Sequence, residues 1–463
     1  MVSVSDEPIA VPPPSRSGIE KRGIERVPDD ERRGRPRHLG FLWAGVVLNV
    51  QVVVYGALLV SFGLNWWQCL LAIALGNLTW LVTGVASLAG PAAGTTTFAV
   101  SRAAFGHHGN RPIALFNWTM QVGYEVLDLV LMVLAATALL DLAGVHVNGP
   151  GKAALVLVLA VVQSVLPLIG HAAITRALHL LVVPFAALFC VLAWLTADRL
   201  DHAATAPAGW VAFLGGVALT ASGSGLGWTA NAPDYSRYLP KDTSKRGIVA
   251  AVTLGGAIPQ TLLMVVGACA ALVVPAANDP VSGLPNAYPL WFAVPYLVFV
   301  IAQMTALNAV DLYSSGVTLQ ALGVPIGRWQ AVALDGVICA AIGLAVVYSG
   351  DFNTVLSDFL LFMIIWFAPW AAIFVTDLLL RRARYDSADL HGGRPWNRHG
   401  ILAQLGGMAA AALWINTSVY VGPLAKAAGG LDLSVPAGLL VGGGLYLLLA
   451  RTSVRAATEG TTA

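Results

Sequence analysis

Charge is scarce in this sequence. Only 11% of its 463 residues are Asp, Glu, Lys or Arg, under half of the roughly 25% usual for a soluble chain, which excludes an ordinary globular enzyme. Its four cysteines, Cys69, Cys190, Cys269 and Cys339, stand far apart inside apolar runs. With no CxxC or metal-ligand spacing, they read as small buried hydrophobes. The N-terminus lacks the apolar core and cleavage site of a signal peptide. A formal charge of +2, with no basic face, gives nucleic acid nothing to bind. Loop histidines near other polar groups are limited to His107, His108 and His391, without metal or phosphate spacing, so catalysis is not expected. No repeated filter sequence suggests a channel.

What remains is apolar. Hydrophobic residues make up 57% of the chain, and its mean hydropathy is +0.73. From Leu39 to Ser101 there is no charged residue at all. The pattern predicts an all-α polytopic membrane protein with twelve spans near 39–64, 67–89, 113–141, 153–170, 177–197, 210–231, 248–274, 290–318, 329–349, 358–380, 400–420 and 435–450. Residues 1–38, with Pro12-Pro13-Pro14 and mixed charges, read as a disordered cytoplasmic tail, and 451–463 as a second one. With both termini cytoplasmic, all of the 26 Lys and Arg residues except Lys152, Arg199 and Lys426 fall on the inner side. That asymmetry supports the even span count and a multi-pass cytoplasmic-membrane location.

Several polar residues sit inside these spans, where an acid costs at least about 2.5 kcal/mol to insert. In the third span Gln121, Tyr124, Glu125 and Asp128 fall at i, i+3, i+4 and i+7, one polar stripe holding an aromatic. The sixth span runs into Ser222-Gly223-Ser224-Gly225-Leu226-Gly227-Trp228 and then Pro233, which predicts an unwound segment with free backbone groups. The first span carries Asn49-Val50-Gln51 in its middle, and also reads as interrupted. Its amides serve equally well as interhelical glue. Thr305, Asn308 and Asp311 share a face of the eighth span, whereas Asp335 in the ninth stands alone and reads as structural.

These residues resemble a family. Asn231-Ala232-Pro233-Asp234-Tyr235-Ser236-Arg237-Tyr238 is similar to the signature of nucleobase:cation symporter-1 transporters, the purine–cytosine permease branch above all. Leu42-Trp43-Ala44-Gly45, Trp67-Gln68, Leu75-Gly76-Asn77-Leu78, Ser101-Arg102-Ala103-Ala104-Phe105-Gly106 and Leu312-Tyr313-Ser314-Ser315-Gly316 look familial too. The resemblance implies a leucine-transporter-type fold. Helices 1–5 (39–200) and 6–10 (208–380) would form inverted repeats, with helices 1 and 6 broken, and helices 11–12 (400–450) would be added at the end.

It implies a symporter working by alternating access, with a flat heterocycle, cytosine or a purine first, held at mid-membrane. Tyr124 matches the stacking aromatic and Trp228 is the aromatic of the sixth span. Asp128 and Asp311 stand where relatives have substrate-binding amides, Gln51 is a further polar contact, and Gly223 and Gly225 would offer backbone groups. For the coupling ion, sodium-coupled relatives bring a carbonyl and two hydroxyls from the eighth span. Here Ala302, Thr305 and then Ala306 stand in their place, so one hydroxyl is missing unless Asn49 completes the set. Glu125, Asp128 and Asp311 offer carboxyl groups to a proton instead. The expected partners are thus H+ or, alternatively, Na+ (near Ala302 and Thr305), a small heterocycle and the lipid bilayer, with no cofactor and a monomeric chain. The alternative substrates are allantoin, hydantoin, uracil or a thiamine-precursor pyrimidine.

Overall fold

The computed structural model describes residues 23–169, 171–197, 206–274, 279, 281, 283, 287–349, 352–385, 390 and 394–460. Most of the expected N-terminal tail, His391 and the last three residues lie outside them. Helices of ten or more residues are α1 Pro36–Val47, α2 Val50–Ser61, α3 Trp66–Asn77, α4 Asn110–Leu142, α5 Gly149–Ile169, α6 His171–Ala197 and α7 Trp210–Ala221. They continue as α8 Lys245–Val273, α9 Leu290–Leu322, α10 Arg328–Ser349, α11 Phe352–Phe362, α12 Ile364–Leu380, α13 Arg398–Trp414 and α14 Ser434–Gly460. Among the described residues, eight helical runs are long and apolar enough to cross a bilayer. The pair α1–α2, bent by 58°, makes a ninth.

That bend has no proline or glycine at its apex. Asn49 supports it: Oδ1 accepts the Val52 N–H at the start of α2 (3.1 Å), and Nδ2 donates to the Val46 carbonyl near the end of α1 (2.7 Å). One amide thus satisfies backbone groups on both sides of the break, which hydrocarbon surroundings would otherwise make prohibitive. A second irregularity follows α7. Ser222–Leu226 is a π-type turn in which Ser224 alone leaves helical geometry (φ −117°, ψ −139°), and the capping residue Gly227 is helical.

Residues 23–35 differ from the expected disordered tail. The Val27 side chain is buried and its N–H donates to Gly94 O (2.8 Å). Arg32 donates to the carbonyls of Val27 and Pro91, at 3.0 Å each. A guanidinium satisfying a carbonyl of the short helix Ala89–Ala93 holds the segment to the body, a contact that composition does not encode.

Small residues let the long helices approach. A Cβ built at Gly56 would lie 2.0 Å from Met264 O, and one at Gly267 2.1 Å from Val53 O, so α2 and α8 meet backbone to backbone. Pro369 of α12 is received in the same way by Gly407 of α13 and Gly442 of α14, which ties the last two long helices to the body. Overpacking such contacts costs about 1–3 kcal/mol. Gly56→Ala and Gly267→Ala are each expected to lower the thermal midpoint of the detergent-solubilised protein by several degrees in a heat-and-size-exclusion series. Gly444→Ala, with nothing within 4 Å, should leave it unchanged.

Candidate functional site

The break after α7 delivers Trp228 opposite Tyr124 of α4. The two half-buried rings lie nearly parallel (16°) with centroids 6.5 Å apart. Two carbon–carbon contacts of about 3.5 Å in series need roughly 7 Å, a little more than this centroid separation, so the pair is a candidate slot for one flat ring once its faces part slightly. Trp228 is braced edge-on by Trp43 of α1 (5.8 Å, 64°), and Trp43 packs edge-on against Trp80 (5.6 Å, 68°). The Trp80 indole N–H donates to Gln260 Oε1 (2.8 Å), and Gln260 Nε2 donates to the Gly223 carbonyl (2.9 Å). Phe359 of α11 closes one end of the slot, edge-on to Tyr124 (5.3 Å, 89°). The Tyr124 hydroxyl makes only a long contact to Ser222 O (3.4 Å), so its face, rather than its oxygen, is the exacting part.

Polar groups converge on the same region. Asp128 is completely buried, and among the described residues neither of its carboxylate oxygens has a hydrogen-bond partner. Asp311 of α9 interacts with it through space, and Glu125 does so from the preceding turn of α4. Asn231 Nδ2 is directed at Asp311 Oδ1 (3.4 Å). Gln51 Nε2 and both amide atoms of Gln121 are buried and unpartnered. Tyr55 of α2 shares the electrostatic neighbourhood of Tyr124, Asp128 and Asp311. An unsatisfied buried carboxylate costs far more than an unsatisfied amide, which makes Asp128 and its surroundings the candidate site.

The structure brings Tyr124, Trp228, Asp128 and Asp311 toward one locus, and the other expected site residues make contacts of their own. The Gly225 carbonyl already accepts from Thr83 and from Thr229 (3.0 Å), and the Gly223 carbonyl from Gln260. A Cβ at Gly225 would strike the Trp80 backbone (2.2 Å) and one at Gly223 the Tyr55 ring (2.7 Å). Both glycines therefore permit close packing of the break. The expected ion-coupling residues Asn49, Ala302 and Thr305 are placed as follows. Ala302 is exposed, the Asn49 amide caps the bend, and the Thr305 hydroxyl bonds Ile301 O (2.8 Å) and Met132 Sδ (3.3 Å). The α9 group that reaches α1 is Gln303, whose Nε2 donates to Gly45 O (2.8 Å). Sequence reasoning missed Phe359, which has no signal inside an apolar run. It also missed Gln260, which does have one: a lone amide beside Pro259.

The signature after the break works as a set of bolts. Asp234 Oδ1 accepts the Thr97 N–H (2.7 Å) and hydroxyl (2.9 Å). Tyr235 donates to Val310 O (3.3 Å), and Ser236 to Ser87 O (2.7 Å). Arg237 donates to Gly23 O (2.7 Å) and Tyr313 Oη (2.8 Å). Burial pushes the Asp234 carboxyl up to about 6, while the Thr97 bonds and the Arg237 charge pull it back.

The sequence profile of the permeases for cytosine/purines, uracil, thiamine and allantoin matches residues 26–438. A Bacillus subtilis protein named as a purine–cytosine permease is 26% identical over 462 residues, covering 94% of this chain and 97% of its own. The purine–cytosine permease fcyB of Emericella nidulans is 26% identical over 465 residues, covering 93% and 88%. Among solved structures, Mhp1, a nucleobase-cation-symport-1 family transporter closed around bromovinylhydantoin, superimposes with a TM-score of 0.72 at 19% identity, covering 96% of this chain and 99% of that one. Its inward-facing form gives 0.71 at 16% identity, covering 96% of each chain. With the fold of that transporter and a profile match along most of its length, the chain belongs to the permease family for cytosine/purines, uracil, thiamine and allantoin.

Proposed function

We propose that this permease imports a nucleobase, cytosine or a purine first, by proton-coupled alternating access across the cytoplasmic membrane. The observation that carries the reading is the near-parallel Tyr124–Trp228 pair beside the unpartnered carboxylate of Asp128. A nucleobase has two flat faces for the rings and an edge of N–H donors and C=O or ring-nitrogen acceptors. Asp128 and Asp311 accept from the donors, and Gln51 Nε2 donates to an acceptor. Stacking contributes about 0.5–1.5 kcal/mol per face, and a hydrogen bond to a carboxylate about 1.5–3 kcal/mol, which together give selectivity without covalent chemistry.

The architecture we infer has twelve spans in one chain, the first ten as two inverted repeats with helices 1 and 6 broken. The bend between α1 and α2 and the irregular Ser222–Leu226 turn support it, since the two breaks occupy equivalent places in such a repeat. The distribution of Lys and Arg supports cytoplasmic termini.

Proton coupling is favoured by the donor set. Asp128 and Asp311 bring carboxyl groups to the slot and Glu125 adds a third behind it, while the Asn49 amide and the Thr305 hydroxyl already bond within the chain. With one proton per base, a one-unit pH gradient drives about ten-fold accumulation in proteoliposomes, because one unit is worth about 1.36 kcal/mol. Accumulation that follows an imposed sodium gradient at equal pH would replace this with the sodium-coupled reading.

Two substitutions test the slot. Asp311→Ala should abolish uptake while the protein stays monodisperse in detergent, and near-normal transport would remove Asp311 from the site. Tyr124→Phe should bind the base almost as wild type does, whereas Tyr124→Ala should weaken binding about ten-fold, as loss of one stacked face implies. Equal losses in a binding titration would assign the work to the hydroxyl instead.

A further inference from the structure

Behind the slot, on the side of α4 that faces α9 and α10, lies a second acidic centre. Glu125 of α4 and Asp335 of α10 are both completely buried and meet at the Ser315 hydroxyl of α9. Trp118 Nε1 donates to Asp335 Oδ1 (2.9 Å) and the Ser315 hydroxyl to Asp335 Oδ2 (2.6 Å). Ser315 is also in polar contact with Glu125. The Cys339 thiol donates to Glu125 Oε2 (3.3 Å), and Glu125 Oε1 has no partner. The other titratable groups facing the pair are Asp128 on α4, Asp311 on α9 and Cys339 on α10, while α5 presents the neutral Gln163. Among the described residues no Lys, Arg or His forms an ion pair with either carboxyl.

We propose that Glu125 and Asp335 together form the proton-binding site of this transporter, separate from the ring slot and loaded and emptied once per transport cycle. Two carboxylates that share the Ser315 hydroxyl in a dry interior, with no counter-ion among the described residues, repel one another, and taking up one proton relieves that repulsion. The step is a simple protonation: a proton from the outer aqueous phase adds to one carboxylate oxygen, and the same proton later leaves to the cytoplasm. The scaffold links the pair to the base. Glu125 directly follows Tyr124, and its peptide carbonyl accepts from Asn308 Nδ2 (3.1 Å), three residues before Asp311. Ser315 stands one turn beyond Asp311 on the same helix. A change of charge at the pair is therefore felt by α4 and α9, the two helices that supply Tyr124, Asp128 and Asp311. Asp335 thereby passes from a structural residue to a coupling one.

This inference rests on proton-coupled import, and its test separates the two. Wild type, Glu125→Gln and Asp335→Asn are reconstituted and assayed with whichever of labelled cytosine, adenine, hypoxanthine or uracil the wild type exchanges. Without a gradient, exchange by each variant should stay within about two-fold of wild type. Under a one-unit pH gradient, the wild-type ten-fold accumulation should collapse to about one. Infrared difference spectra of the wild type on adding the base should contain a protonated-carboxyl band that both variants remove. Variants that still accumulate the base under the pH gradient, or a wild-type spectrum without that band, would overturn the pair as the proton site. If a variant does not assemble, the wild-type spectrum decides alone. If the wild type exchanges none of the four bases, the transport reading itself fails, and the band in the resting wild-type spectrum, present or absent, judges the pair.

Discussion

Inside a bilayer there is no water to satisfy a polar group, so each one must find its partner within the protein or serve a ligand. The rest of this structure follows from that constraint. It dictates helices for nearly the whole chain, and it makes each interruption accountable. The α1–α2 bend exists because the Asn49 amide satisfies both of its ends. The turn after α7 exists because Gln260, Thr83 and Thr229 take up the carbonyls of Gly223 and Gly225. Once these are accounted for, the groups still lacking partners among the described residues include both carboxylate oxygens of Asp128, one helical turn from Tyr124.

Rigidity around the slot comes from two sources. Glycine contacts such as Gly56 on Met264 and Gly225 on Trp80 bring backbones close enough for dispersion to hold helices that gain nothing from hydrophobic burial in lipid. The segment Asn231–Tyr238 fixes the far side of the break to several neighbours through Asp234, Tyr235, Ser236 and Arg237. Trp228 is thus mounted six residues before the first of these bolts, Asp234. Residues 23–35 add a strap between Arg237 and the Gly90–Thr95 stretch, through Gly23, Val27 and Arg32.

Much of this was legible in the residues alone, for a physical reason: intramembrane polarity is costly, so it stands out. The stripe Gln121–Tyr124–Glu125–Asp128, the glycine-rich break and Asp311 were all visible as violations of an apolar pattern. What stayed hidden depends on direction. Asn49 is equally a ligand or a cap until its neighbours are known. Gly223 and Gly225 look available to a ligand until their carbonyls are seen to be occupied. Thr305 has a hydroxyl whose direction the sequence does not give, and in the fold it contacts Met132 and Ile301. Phe359 is one aromatic among many in an apolar run, and Asp335 looked isolated because Glu125, its partner, lies 210 positions away in the chain.

The central claim is that a flat heterocycle lies between Tyr124 and Trp228 with its edge on Asp128 and Asp311. An electron cryo-microscopy structure of the protein with cytosine or adenine, at a resolution that defines the ring plane, tests it most directly. The account predicts a ring about 3.5–4 Å from both aromatic faces, with ring N–H groups within hydrogen-bond distance of the two carboxylates. A ring bound outside the pair, or one leaving both oxygens of Asp128 without a partner, would contradict it.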